Sequence, residues 1–136
     1  MTEPFRDSFR ASADIEAIGR VHEVFERLGE RRPDLPERLR GGFELAVVEV
    51  VTNVVTHSQA ERPVQVELII RTNLGGLEAV VIDDAPPAEV DIVDATTPDP
   101  EAMTESGRGL ALVNLLVDRF EHAAVDGGNR WTLSVG

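Results

Sequence analysis

Six valines constrain this chain more tightly than any other feature. Val47, Val48, Val50, Val51, Val54 and Val55 recur at i, i+1, i+3, i+4, i+7 and i+8, which is the stripe an α-helix turns toward a core. Valine by propensity favours a strand, but the period decides otherwise. A strand would put Glu49 and Asn53 on the same face as Val51 and Val55, whereas a helix stacks Glu49, Asn53 and His57 on one line, a turn apart. Leu39, Phe43 and Ala46 continue the apolar side upstream, so the pattern predicts a helix from about Pro36 to His57. A carboxylate, an amide and an imidazole aligned along an otherwise apolar helix require a reason.

A second motif supplies one. About fifty residues later, Ser106-Gly107-Arg108-Gly109 opens another apolar run. A Gly-X-Gly entering a helix offers backbone N–H groups that can hold an anion. The amide oxygen of Asn53 can coordinate a hard cation, and Mg²⁺ takes few protein ligands beside water and phosphate oxygens. A carboxylate at Glu49, beside a terminal phosphate, can accept a proton from an attacking hydroxyl or water. Arg108 is the only basic residue between Arg71 and Arg119, which suits it to a phosphate. Each residue also has a plainer reading: Asn53 bonding a loop carbonyl, Glu49 on a helix surface, Gly107 and Gly109 as an ordinary loop-to-helix pair. Together the motifs favour a Mg-nucleotide site. His57, late in its helix, complements the helix dipole and reads as structural.

Charge narrows the chemistry. The 136 residues carry a net charge of −12 and no lysine. Phosphate neutralisation by a basic face, as nucleic-acid binding needs, is not available. A P-loop lysine is equally excluded, so bound ATP would rely on Mg²⁺, backbone amides and arginine. Cysteine is absent, which removes disulfides, thiolate metal sites and a thiol nucleophile. No apolar run is long enough for a membrane span and no signal-peptide pattern is present, so the expectation is a cytoplasmic protein with one domain over residues 1–136.

Local signals order the remaining elements. Phe5 to Phe9 reads as a first strand. Ser12 reads as an N-cap for a helix whose stripe is Ile15, Ile18, Val21, Val24, Phe25 and Leu28 and which Gly29 and Pro33 end. Val64, Val66, Leu68 and Ile70 alternate as a half-buried strand; Asn73 to Gly76 makes a turn; Leu77 to Ile82 reads as a central strand. Residues 84–106 show no period. Leu110 to Phe120 reads as helix with Leu112, Leu115, Leu116 and Phe120 inward, and two strands, His122 to Val125 and Trp131 to Val135, close around Gly127-Gly128. Dominant hairpins imply a mostly antiparallel sheet with helices on one face, an α/β two-layer sandwich.

Glu49-x-x-x-Asn53-x-x-x-His57 resembles the N box of the GHKL ATPases, the group containing gyrase, Hsp90, histidine kinases and MutL. Chain length and the run Gly107-Arg-Gly-Leu-Ala-Leu-Val113 resemble, within that group, the RsbW-like anti-sigma factor serine kinases. The resemblance implies the Bergerat ATP-binding fold, ATP and Mg²⁺ as ligands, Asn53 as the Mg²⁺ ligand and Glu49 as general base. Gly107-Arg108-Gly109 matches the second glycine box. It also implies two protein partners, a sigma factor and a STAS-domain anti-anti-sigma factor that is phosphorylated on serine. Relatives are often dimers, which leaves a homodimer open. The alternative is an anti-sigma adaptor that binds nucleotide without useful kinase activity; a stand-alone ATPase is a third reading.

Two departures from the family pattern bear on that choice. Asp83-Asp84-Ala85-Pro86-Pro87 falls where the family has Asp-x-Gly-x-Gly, whose Asp accepts a hydrogen bond from the adenine amino group. With Asp83 in that role, Ala85 and Pro87 replace the glycines; with Asp84, Pro86 and Ala88 do. Asp83 is the preferred register. Glu105 stands just before Ser106, where some relatives carry arginine. Residues 84–106 would then be the ATP lid, with seven acidic residues and no basic one. His22-Glu23 faintly resembles the phosphoacceptor box of histidine kinases, but an exposed histidine on the first helix is the preferred reading.

Overall fold

The computed structural model describes residues 4–57, 63–86 and 105–136. The chain runs β1 (Arg6–Ser12), α1 (Ile15–Arg31), α2 (Glu37–His57), β2 (Gln65–Asn73), β3 (Gly76–Asp83), α3 (Glu105–Leu116), β4 (Arg119–Val125) and β5 (Gly128–Val135). The five strands form one sheet in the order β1-β2-β3-β5-β4, and every neighbouring pair is antiparallel. The helices pack on one side of it, an α/β sandwich. β3 is central, as the largely apolar Leu77 to Ile82 predicts.

Alternation builds the sheet's inner face. Val66, Leu68 and Ile70 of β2, Leu77, Ala79 and Val81 of β3, and Trp131, Leu133 and Val135 of β5 all point into the core. The valine stripe meets them from α2: Val47, Val50 and Val51 are fully buried, Val54 nearly so, and Val48 and Val55 lie at the margin. α1 packs on α2 through Phe25 and Phe43, whose rings are 6.1 Å apart. In the turn between these helices Arg32 donates to both oxygens of Asp34 at 2.9 and 3.0 Å. That fork holds the Asp34 carboxyl below its ordinary range.

Several boundaries differ from the sequence reading. Ser12 is not an N-cap; it is the last residue of β1, opposite Gln65. Asp14 caps α1 instead, its Oδ1 accepting the Glu16 N–H at 2.9 Å. The inner stripe of α1 accordingly starts at Ala17, and Ile15 is 83% exposed. Gly29 does not stop α1, which continues to Arg31; a Cβ at Gly29 would lie 3.1 Å from the Arg40 guanidinium of α2.

The largest differences are at α3. It begins at Glu105 rather than Leu110, and it ends at Leu116 rather than Phe120. Phe120 belongs to β4, opposite Leu133. Asp118 makes the exit: its N–H donates to the Ser134 carbonyl and its carboxylate accepts the Gly136 N–H. The inward residues of α3 are Leu110, Ala111 and Val113, whereas Leu115 is 74% exposed. With apolar residues nearly all round from Leu110 to Leu116, the sequence left the inward face of this helix undetermined.

Candidate functional site

Period fixes α2, and α2 fixes the first half of the site. Glu49 and Asn53 are half-buried one turn apart, flanked by the buried Val47, Val50, Val51 and Val54. Neither side chain has a hydrogen-bond partner among the described residues. His57, the third member of the line, is the last residue of α2; its side chain lies outside the described residues.

α3 brings the second motif against the first. A Cβ built on Gly109 would lie 2.8 Å from Oε2 of Glu49. No larger residue fits at position 109 while that carboxylate keeps its place. The two motifs, about fifty residues apart in sequence, thus share one location. The structure corrects one detail. Gly107-Arg108-Gly109 does not precede the helix; it lies within the opening turns of α3, which starts at Glu105. The first four N–H groups of a helix have no intrahelical acceptor, and here they lie at the Glu105 end of α3. The side chain of Arg108 lies outside the described residues, and so does the greater part of the expected lid, residues 87–104.

The donor set fits Mg²⁺ with a triphosphate. Asn53 offers an amide oxygen, Glu49 a carboxylate, and α3 a helix N-terminus that favours negative charge. Among the described residues no three His, Asp or Glu side chains cluster as a self-contained metal site. A magnesium ion that takes most of its ligands from water and phosphate does not need one.

Asp83 and Asp84 are separated by the sheet. Asp83 ends β3 on the inner face and is 4% exposed. Its Oδ1 accepts the Asn129 amide N–H at 2.9 Å and the Ala85 backbone N–H at 3.0 Å; its Oδ2 accepts the Trp131 indole N–H at 3.0 Å. Asp84 points elsewhere. Its Oδ1 accepts the Gln65 N–H at 2.7 Å, extending the β2–β3 ladder by one rung. Of the two, only Asp83 presents a buried carboxylate on the helix-covered face.

Residues on β4 and β5 were not singled out by the sequence reading. Asn129 is 2% exposed and Trp131 1%. His122 of β4 lies opposite Trp131, with ring centroids 4.3 Å apart, and its Nε2 lies 2.8 Å from Oδ1 of Asn129. Because the Asn129 amide nitrogen donates to Asp83, its oxygen faces His122, and Nε2 is the donor in that bond. A sequence signal existed. Asn129 occupies an inward position in the alternation that continues through Trp131, Leu133 and Val135, and a polar residue there implies a buried partner.

Among the described residues no helix is long and apolar enough to cross a membrane. The family model for the histidine kinase-like ATPase domain matches residues 11–135 of the chain. No curated protein matches the sequence significantly.

Proposed function

The chain belongs to the histidine kinase-like ATPase family, and from that premise we propose that it is an anti-sigma factor and ATP-dependent serine kinase acting on a STAS-domain anti-anti-sigma factor. The observation that carries the reading is the contact between α2 and α3, where the Glu49 carboxylate stands against Gly109. Binding of ATP follows from the family. The serine substrate and both partners rest on the resemblance of the two motifs.

In this reading the opening turns of α3 hold the phosphates through backbone N–H groups, and the absence of a side chain at Gly109 leaves the Glu49 carboxylate at that position. Asn53 holds Mg²⁺ through its amide oxygen. Mg-ATP supplies the electrophilic phosphorus and the neutralisation of charge that a lysine-free chain cannot supply. Glu49 accepts the proton from the serine hydroxyl as the hydroxyl oxygen bonds to the terminal phosphorus and ADP leaves. Asp83 accepts a hydrogen bond from the adenine amino group. The phosphoserine then disfavours the complex through added negative charge against an acidic chain.

The adaptor remains the second reading, favoured by Glu105 in place of a basic residue and by Ala85 and Pro87 in place of glycines. Native mass spectrometry of the protein with STAS and sigma candidates from its own genome, in Mg-ATP, distinguishes them. One added phosphate on the STAS chain, with loss of the complex, is the kinase result. A complex that persists without phosphate is the adaptor result. Failure to bind any such partner rules out both.

A further inference from the structure

Asp83 is a buried side chain that accepts three hydrogen bonds, and its partners bear on how it meets a ligand. An ionised carboxylate offers about four acceptor directions. Asn129 and Ala85 take two at Oδ1, and Trp131 takes one at Oδ2. One direction is left, on Oδ2.

That remainder is selective. The amino edge of adenine presents a single N–H to one oxygen. Guanine presents N1–H and its 2-amino N–H in parallel, and a carboxylate pairs with these only by offering one free direction on each oxygen. With Oδ1 filled, the second arrangement is closed. The indole N–H also fixes where Oδ2 points. Trp131 is itself held by two rings of β4, stacked with Phe120 at 6.2 Å between centroids and packed against His122 at 4.3 Å.

We propose that Trp131 is a positioning residue for nucleobase recognition: its indole N–H orients Oδ2 of Asp83 toward the single N–H that the amino edge of adenine presents, while Asn129 and Ala85 keep Oδ1 closed to the paired donors of guanine. This rests on the reading of Asp83 as the adenine contact. Trp131 acts through Asp83.

Trp131→Phe keeps an aromatic ring in the core and removes the donor together with part of the indole's volume. Affinities for Mg-ATP, Mg-GTP and Mg-tripolyphosphate are measured by calorimetry on wild type and variant, with circular dichroism and thermal unfolding to show that the variant is folded. The expected result is a preference for ATP over GTP that falls by about tenfold, the scale of one hydrogen bond, with tripolyphosphate affinity unchanged. An unchanged ATP/GTP ratio in a folded variant overturns the proposal and leaves the adenine site standing. A wild type that binds tripolyphosphate as tightly as ATP overturns the adenine site itself, and the proposal with it. A second measurement needs no variant. Trp131 is the chain's single tryptophan, so its fluorescence reports this location alone. ATP shifts the emission and tripolyphosphate does not; ATP that binds without moving the emission overturns the proposal.

Discussion

Gly109→Ala should separate the chemistry from the fold. Gly109 is the fifth residue of α3 and has no positive φ, so alanine meets no backbone strain there. Alanine in a helix interior is favoured over glycine by about 0.8–1.0 kcal/mol. Against that gain stands one contact, with the new carbon 2.8 Å from Oε2 of Glu49. Ordinary contact begins at 3.4 Å, so the oxygen must retreat by about 0.6 Å. Because that atom ends a flexible side chain, the retreat is cheap. The net expectation is a Tm raised by about 2–4 °C, the usual scale for a gain of ~1 kcal/mol in a domain of this size.

The reaction should respond in the opposite direction. Misplacing a reacting group by about 1 Å can cost ~10²-fold in rate. A displacement near 0.6 Å therefore predicts a loss of roughly tenfold in single-turnover phosphoryl transfer at saturating Mg-ATP. Thermal unfolding and single-turnover assays on the same preparation test both halves. A raised Tm with an unchanged transfer rate would show that Glu49 and Gly109 do not share a reacting geometry. A Tm lowered by several degrees would show that Glu49 is held too firmly to move, which contradicts the cheap-retreat step.

The other predictions address individual roles. Glu49→Gln should keep ATP affinity within a few-fold and reduce phosphoryl transfer by about 10²–10⁴; normal transfer would make Glu49 structural. Asn53→Ala should abolish the difference between calorimetric ATP affinities measured with and without Mg²⁺. Asp83→Asn puts an amide donor among three donors and should destabilise the fold by about 1–3 kcal/mol, while lowering ATP affinity measured well below its Tm. Asp84→Asn, whose carboxylate accepts the Gln65 N–H at the start of β2, should leave the ATP/GTP ratio unchanged, and the reverse pattern would move the adenine contact to Asp84. Gly128→Ala should be the more damaging of the two glycine changes: its Cβ would sit 1.8 Å from the Asp83 carbonyl oxygen, a backbone clash at the upper end of the usual overpacking cost, about 3 kcal/mol, readable as loss of folded protein by circular dichroism.

Much of the architecture could be read from short-range pattern. A period near 3.6 over Val47–Val55 set α2 to within a residue of its observed start, and alternation from Val66 to Ile70 set the inner face of β2. These patterns are legible because a helix face or a strand face is fixed by neighbours within a few residues. The same patterning put Glu49 and Asn53 on one line, whereas Gly107 to Gly109, read as leading into a helix that starts at Leu110, lie within the opening turns of α3.

Where local signals were uniform or competing, tertiary contacts decided. Leu110 to Leu116 is apolar except for Asn114, so packing against α2 determines that Val113 faces inward and Leu115 outward. Ser12 could cap a helix, but the length of β2 claims it for the sheet and leaves the cap to Asp14. Above all, the sequence preferred Asp83 to Asp84 without any local signal that one of them is buried. Adjacent residues in a strand point to opposite faces, and which carboxylate is buried depends on Asn129 and Trp131, more than forty positions away. A hydrogen-bonded cluster of that separation exists only once β3 and β5 lie side by side.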